Sequence, residues 1–436
     1  MTFDRESGVY EAVRKDLRKF VPLPPPNVDS FVASVGSSAA GGGIGPTVFV
    51  AASDSSEESQ AASQLQATGT DDGPVIQQAN DAMPSTGGQI LLSEGSFDVL
   101  AGTADGFTLS AGVSIVGTGP FSTFLTGSTG NASYGVVNAS STSQVANVAI
   151  TAVSSGAAII AAGGDGTLIS NVYLTADGNH ITHNGAGRLT VINSFMDGAG
   201  PGYVTTSGPG WLIGNIIEVG EHGVSLTDSS GGMYSLNYVA AGTGTDNTYD
   251  NIILAGNSDR NVIETNYLFP TVATSPRYGV NVSAATCNTN RIGDNQYGVI
   301  TDYGTDFLND AGTGTFYPTA TNLDLSDGRA TLTVGAGNMG KKLKQDCRVV
   351  GVVAEVGTAP TGADVILDVQ KNGGANNLYT TQGNRPTITA TTTTSTTTLP
   401  DVVNLLSTDY VTADIDQIGS TIAGGYLVVT LLVIYI

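Results

Sequence analysis

The chain has 436 residues, 58 of them glycine, with 40% apolar and only 7% aromatic side chains. Such a composition suits a long, thin core spread over two or three domains and excludes one large globule. A formal net charge of −22 excludes nucleic-acid binding by the body of the chain.

The N-terminal tip, from Met1 to Lys19, departs from that balance, with five bases against four acids, while the remainder carries 11 bases and 34 acids. Val9, Val13, Leu17 and Phe20 fall at spacings of four, four and three, so they predict one apolar stripe on a short helix that Pro22, Pro24, Pro25 and Pro26 end. A basic amphipathic helix can lie on a membrane or dock in an acidic partner. The four interspersed acids favour protein docking, without membrane insertion. Residues 36–45 are rich in Gly, Ser and Ala, and residues 53–66 read as a second helix with an acidic start. Residues 1–68 are therefore expected to be an attachment segment. No secretory signal pattern opens the chain.

From Thr70 the sequence runs Asp71, Asp72, Gly73, Pro74, a pattern in which Asp72 can cap a helix and Pro74 suits its first turn. That helix is predicted to present Val75, Ile76, Ala79 and Met83 on one side. Gly87 and Gly88 then turn the chain into a first strand, and Gly112 to Pro120 reads as a further coil of the same kind.

Six asparagines follow, Asn171, Asn193, Asn215, Asn237, Asn266 and Asn295; the first four are evenly spaced, and the last two stand at a second, longer interval. Three positions before them stand Leu168, Thr190, Leu212, Tyr234, Ile263 and Ile292, and two positions after the first four stand Tyr173, Phe195, Ile217 and Val239. Periods of this size mean stacked units that share a core. The segments are β-branched and aromatic, with neither the leucines nor the helical return of a leucine-rich repeat. The chain is thus expected to be all-β, a right-handed parallel β-helix over residues 69–322, with each Asn at a tight corner in one structural ladder. The stretch from Thr70 to Phe97, with Gly112 to Pro120, resembles the opening of pectate-lyase-like β-helix proteins. That resemblance implies a solenoid plugged by a helix and leaves its chemistry open.

The two longer coils place insertions, residues 240–250 and 269–279, at one corner, where they are expected to project as a wall. Asp177, Asp197, Glu218 and Glu221 are expected at that corner, with His180 and His222 near. Carboxylates one coil apart, at about 4.8 Å, match a retaining glycosidase pair at roughly 5–5.5 Å, and two coils apart an inverting pair. Those four are therefore the candidate catalytic residues, although a row of acids on an acidic chain also reads as a solvated face. Tyr249, Phe269, Arg277, Tyr278 and His222 on the wall are the candidate glycan-binding residues, able to stack on sugar rings and hydrogen-bond them. His183 and Trp211 read as packing residues. Three histidines and two cysteines show no ligand spacing, so no metal and no cofactor is expected. Asp414 and Asp416 make only a faint calcium pattern. Cys287 and Cys347 fall in different expected domains and read as free thiols.

Residues 323–436 are expected to form a jelly-roll-like β-sandwich. Residues 364–370 alternate into an Asn372-Gly373 turn, residues 411–418 alternate apolar residues with Asp, residues 391–398 read as a β-branched edge strand, and the apolar end of the chain reads as a buried last strand, too short to span a bilayer. These segments resemble the C-terminal sandwich of phage and archaeal-virus tail spikes and fibres. The order of parts then implies a homotrimeric virion-surface spike, on tail or capsid, attached to virion proteins through residues 1–68 and recognising host-surface glycan or glycoprotein. A polysaccharide depolymerase (hydrolase or lyase) on the same scaffold and a non-binding capsid decoration protein are the alternatives. Asp outnumbers Glu 29 to 9, a balance that keeps proteins soluble in concentrated salt and suggests the virus of a haloarchaeal host.

Overall fold

A computed structural model describes residues 45–99, 106–128, 134–153, 156–163, 165–242, 247–270, 275–298, 303–317, 321–373 and 376–435. The expected N-terminal amphipathic helix lies outside these residues. The chain divides into two compact units, Met1–Phe316 and Tyr317–Ile436, so the boundary falls a few residues before the expected one.

The first unit is a parallel β-solenoid. Three sheets of 11, 9 and 9 strands run its length, and each coil contributes one strand to each in turn. In one coil these are Leu189–Ile192, Phe195–Gly198 and Tyr203–Thr205. Alternation along each strand sends one set of side chains inward. Ile169, Val191, Leu212, Tyr234, Ile263 and Ile292 thus form one buried column of the first sheet. Burying each such side chain contributes about 1.5–3 kcal/mol.

The first sheet starts earlier than expected. Thr47–Ala51 pairs in parallel with both Leu65–Gln66 and Gly88–Leu92, inside the segment the sequence assigned to attachment. The helix expected over residues 53–66 is short, α1 (Glu57–Ala62), with the Ser56 hydroxyl accepting from Ser59 N at 3.3 Å. Asp72 does not cap α2 (Gly73–Asp81) with its side chain. Its carboxylate accepts instead from Thr68 N at 2.8 Å, Gly69 N at 3.0 Å and Asp98 N at 3.0 Å, tying α2 to the solenoid. Ile76 and Ala79 are buried as expected, whereas Val75 and Met83 are half-buried. Gln77 and Asn80 on α2 accept from Thr108 N (2.9 Å) and Ser110 N (2.7 Å). They satisfy donors along the strand Phe107–Leu109, which ends the third sheet, and so blunt an open sheet edge.

The asparagines do not form one ladder. The coil that starts at Asn193 is one position shorter than the coil before it, because Thr167 pairs with Leu189 but Leu189 pairs with Gly210. The structural successor of Asn193 is therefore Gly214. One column holds Asn147, Asn171, Asn193, Gly214, Leu236, Thr265 and Asp294, all with φ between 50° and 68°. The left-handed region is open to Gly and tolerated by Asn and Asp, and it costs other residues about 1–2 kcal/mol. The adjacent column holds Ser194, Asn215, Asn237, Asn266 and Asn295. Here each amide oxygen accepts the backbone N–H of the preceding member, at 3.0, 3.0, 3.1 and 3.1 Å. Each Nδ2 donates to the carbonyl of Val191, Leu212, Tyr234 or Ile263 at 2.8–3.0 Å. This inner ladder offsets the strain at Leu236 and Thr265. Asn215→Ala, which strands Ser194 N and takes a donor from the Val191 carbonyl, should lower the solenoid's stability in a denaturant titration by about 1–3 kcal/mol. Glu221→Ala, half-buried at the next corner, should leave it within about 0.5 kcal/mol.

The second unit consists of two antiparallel sheets. Thr321–Asp327, Gly425–Tyr435, Cys347–Thr358 and Asn404–Leu405 make one; Gly335–Lys342, Tyr410–Gln417, Val365–Lys371 and Asn376–Asn377 make the other, with Thr387–Ile388 also on Val365–Lys371. Leu325, Val352, Val429 and Leu431 from one sheet and Val365, Leu367, Val369 and Ile415 from the other belong to a single buried cluster. Asn372 (φ 58°) and Gly373 (φ 78°) make the expected turn, both central residues lying in the left-handed region. Residues 391–398 follow Cys347–Thr358 antiparallel but irregularly, with isolated bridges at Thr394 and Thr398 and the bonds Val356 N to the Thr393 carbonyl and Ser395 N to the Ala354 carbonyl, both 2.8 Å. The final strand lies between two others, its inward positions buried. Cys287 and Cys347 are free and buried.

Candidate functional site

The outer face of the second sheet carries a column of mostly large side chains, interrupted by Ala149. Register aligns Phe124, Ala149, Tyr173, Phe195, Ile216, Tyr238 and Tyr267. Tyr173 and Phe195 stack with ring centroids 5.2 Å apart at 16°, and Phe121 leans on Tyr173 at 6.1 Å. Phe269 stacks with Tyr238 at 6.1 Å and with Tyr267 at 6.5 Å. Within the column Tyr267 is 45% and Phe124 41% exposed, Tyr173, Phe195, Ile216 and Tyr238 are half-buried, and the flanking Phe121 is 79% exposed, so the column reaches solvent.

Two residues further along each strand runs a second outward row, Thr126, Thr151, Thr175, Asp197, Glu218, Ala240 and Phe269. Asp197 and Glu218 are therefore direct neighbours on adjacent strands, about 4.8 Å apart along the backbone. Both are half-buried. The Tyr173 hydroxyl donates to Asp197 Oδ2 at 3.2 Å. Burial, and then the nearby Glu218 carboxylate, push the Tyr238 hydroxyl above its ordinary range.

Past this sheet the chain turns toward the third, and the long coils insert their extra residues at that corner. Asp250, fully buried, is its hub. Arg277 grips it with two parallel bonds, Nε to Oδ1 at 3.0 Å and Nη2 to Oδ2 at 2.7 Å, and Asn281 Nδ2 donates to Oδ2 at 2.9 Å. Asp250 N donates to His222 Nδ1 at 2.9 Å, which makes that nitrogen an acceptor. Burial lowers the His222 pKa against the opposing pull of Asp250, and the ring packs edge-on to Tyr249 with centroids 5.2 Å apart. The Arg277 guanidinium also lies 5.3 Å from the Tyr278 ring centroid, and Arg277 N donates to the Tyr249 carbonyl at 2.6 Å.

The residues expected from sequence thus separate into two groups. Tyr249, Arg277, Tyr278 and His222 do meet at the corner, around an Asp250 that the sequence did not single out. Phe269 is not on the wall; it lies within the strand Tyr267–Pro270 on the sheet face. Asp197 and Glu218 likewise lie within strands, Phe195–Gly198 and Ile216–Val219, whereas Asp177 and Glu221 lie past strand ends, two coils apart. The wall segments 243–246 and 271–274 lie outside the described residues.

His180 is buried and not part of an open site. Its Nδ1 lies 2.9 Å from the Pro201 carbonyl, and burial lowers its pKa. His183 bonds the Tyr203 hydroxyl at 2.9 Å inside the core, and burial pushes it down to about 4. Trp211 lies under Arg188, at 4.3 Å, on the first sheet. Asp416 pairs with Arg385. Asp414 opposes Asp368, whose pKa burial raises, helped by Asp416. Among the described residues no cluster of His, Cys, Asp and Glu has metal-site geometry.

No family model matches the chain, and no curated protein sequence does. Several solved structures share its parallel β-helix. A pectin methylesterase from carrot is 14% identical with a TM-score of 0.43, covering 64% of this chain and 91% of its own. The ORF18 protein of Geobacillus virus E2 is 12% identical with a TM-score of 0.38, covering 76% and 73%. An Acinetobacter phage tailspike protein is 11% identical with a TM-score of 0.35, covering 84% of this chain and 85% of its own. These are likenesses of fold alone.

Proposed function

We propose that the chain is a virion-surface spike, a homotrimer held to the particle by its N-terminal segment, whose solenoid recognises host-cell glycan along the outer face of the second sheet. The observation that carries this reading is the column of outward aromatic rings with the Asp197 and Glu218 carboxylates beside it. Sugar rings offer apolar C–H faces to stack on aromatic side chains, and their hydroxyls donate to carboxylates in charge-assisted bonds. A surface aromatic column with no ligand would be an uncovered patch of the kind soluble proteins avoid.

A polysaccharide depolymerase is the second reading, favoured by the pairing of Asp197 with Glu218 across adjacent strands. An interstrand spacing of about 4.8 Å approaches the separation of about 5–5.5 Å found in retaining glycosidases. Incubation with host-envelope polysaccharide separates the possibilities. Retention without release identifies the binder, and oligosaccharide release abolished by Glu218→Gln identifies the enzyme. Neither outcome would leave a decoration protein. For the binder, Phe195→Ala and Tyr238→Ala should each weaken retention a few-fold to about tenfold, from about 0.5–1.5 kcal/mol per ring contact. Light scattering on the same sample reads the trimer.

A further inference from the structure

Basic residues are scarce in the solenoid. From residue 45 to residue 316 there are 23 acids but only four bases, Arg188, Arg260, Arg277 and Arg291, and no lysine. None lies in a strand of the second sheet. Arg188 sits over Trp211 on the first sheet, and Arg291, also on the first sheet, pairs with Glu264 at 3.0 Å. Arg260 leads into that sheet with its N–H on the Asn288 carbonyl. Arg277, at the corner beside the aromatic column, spends two of its nitrogens on the buried Asp250.

From this distribution we infer that the ligand of the aromatic column is an uncharged glycan, and that polyanionic chains such as polyuronates or sulfated glycans are excluded. The inference rests on the glycan reading above. A polyuronate laid along the column would bring a carboxylate past Asp197 and Glu218 with no arginine or lysine in the sheet's own strands to meet it. Juxtaposed like charges at an interface cost more than one ring contact returns. An uncharged sugar meets the same two carboxylates with hydroxyl donors. Nor does the face suit an amino-bearing polymer: of the seven positions in the second row only two are acidic, so most ammonium groups would lie against threonine, alanine or phenylalanine.

The test is retention of the intact protein on an array of uncharged, amino-bearing and polyanionic oligosaccharides, with EDTA present, at about 0.1 M and about 1 M NaCl, which brackets the screening of ligand charge. Retention by uncharged members is expected, changing less than about twofold between the two salts because no ligand charge is screened, and falling in Tyr238→Ala with melting unchanged. Retention by polyanions, or retention by amino-bearing members that collapses in the higher salt, overturns the inference and leaves the glycan reading standing. Retention by no class overturns the glycan reading, and the inference with it.

Discussion

Arg277→Ala should destabilise the solenoid by about 3–5 kcal/mol, the range found when one partner of a buried ion pair is removed and the other is left without compensation. Asp250 has no exposed surface, whereas the Arg277 side chain is 34% exposed. Removing the arginine strands a buried carboxylate whose remaining side-chain donor is Asn281, at 2.9 Å. Removing the acid instead, as Asp250→Ala, leaves a guanidinium that water can reach, so the loss should be smaller, at or below the bottom of that range. Asn281 Nδ2 and a small cavity then account for most of it. The double variant should lose less than the sum of the singles, since the two share one interaction. Urea titration of the three variants reads these differences. Equal losses for the two singles would mean that the pair is solvated on both sides, and the corner would then be no fixed support for Tyr249 and Tyr278.

Much of the architecture was legible in the sequence because solenoid stacking repeats a chemical requirement at a fixed interval. Asparagine at a left-handed corner, or beside one, is such a requirement. The same signal misled at one point. Asn193 and Asn215 keep the even spacing of the asparagines, yet the coil between them is one position short, and Gly214 takes the left-handed position that Asn193 holds one coil earlier. Gly and Asn are interchangeable there, so the slip left the period intact. In a strand, a one-residue slip moves every side chain to the opposite face. The asparagine spacing aligns Tyr173 and Phe195 with Ile217 and Val239, which are core residues, whereas Tyr173 and Phe195 project outward beside Ile216 and Tyr238. The aromatic column was hidden by that slip.

Asp250 was hidden for another reason. It closes a long insertion with no periodicity, and its partners Arg277 and Asn281 belong to the next coil. Pattern cannot join residues across coils of unequal length; only the stacked geometry does. Asn261 and Asn290 escaped for a similar reason. They stack at another corner, Asn261 N donating to Asn290 Oδ1 at 2.9 Å, and a ladder of two members has no period to read.

Raising salt from about 0.01 M to about 1 M should raise the melting temperature of the solenoid steeply and that of the second unit much less. Residues 45–316 hold 23 acids less four bases, a net charge of −19, while residues 317–436 hold ten acids less seven bases, −3. Nearly all the self-repulsion therefore sits in the solenoid. The Debye length falls from about 30 Å to about 3 Å over that range, from longer than several coils to shorter than one interstrand step of about 4.8 Å. Relief of several kcal/mol, at about 2–4 °C per kcal/mol for a unit of this size, corresponds to a rise on the order of 10 °C. Salting-out of apolar surface also stabilises folded states, but it would act on both units. Calorimetry that resolves two transitions decides between these causes: a rise confined to the solenoid is electrostatic, and an equal rise in both is not. A solenoid transition that stays flat would mean its carboxylates are already well solvated in dilute buffer, and the excess of Asp over Glu would then say nothing about a salt-adapted host.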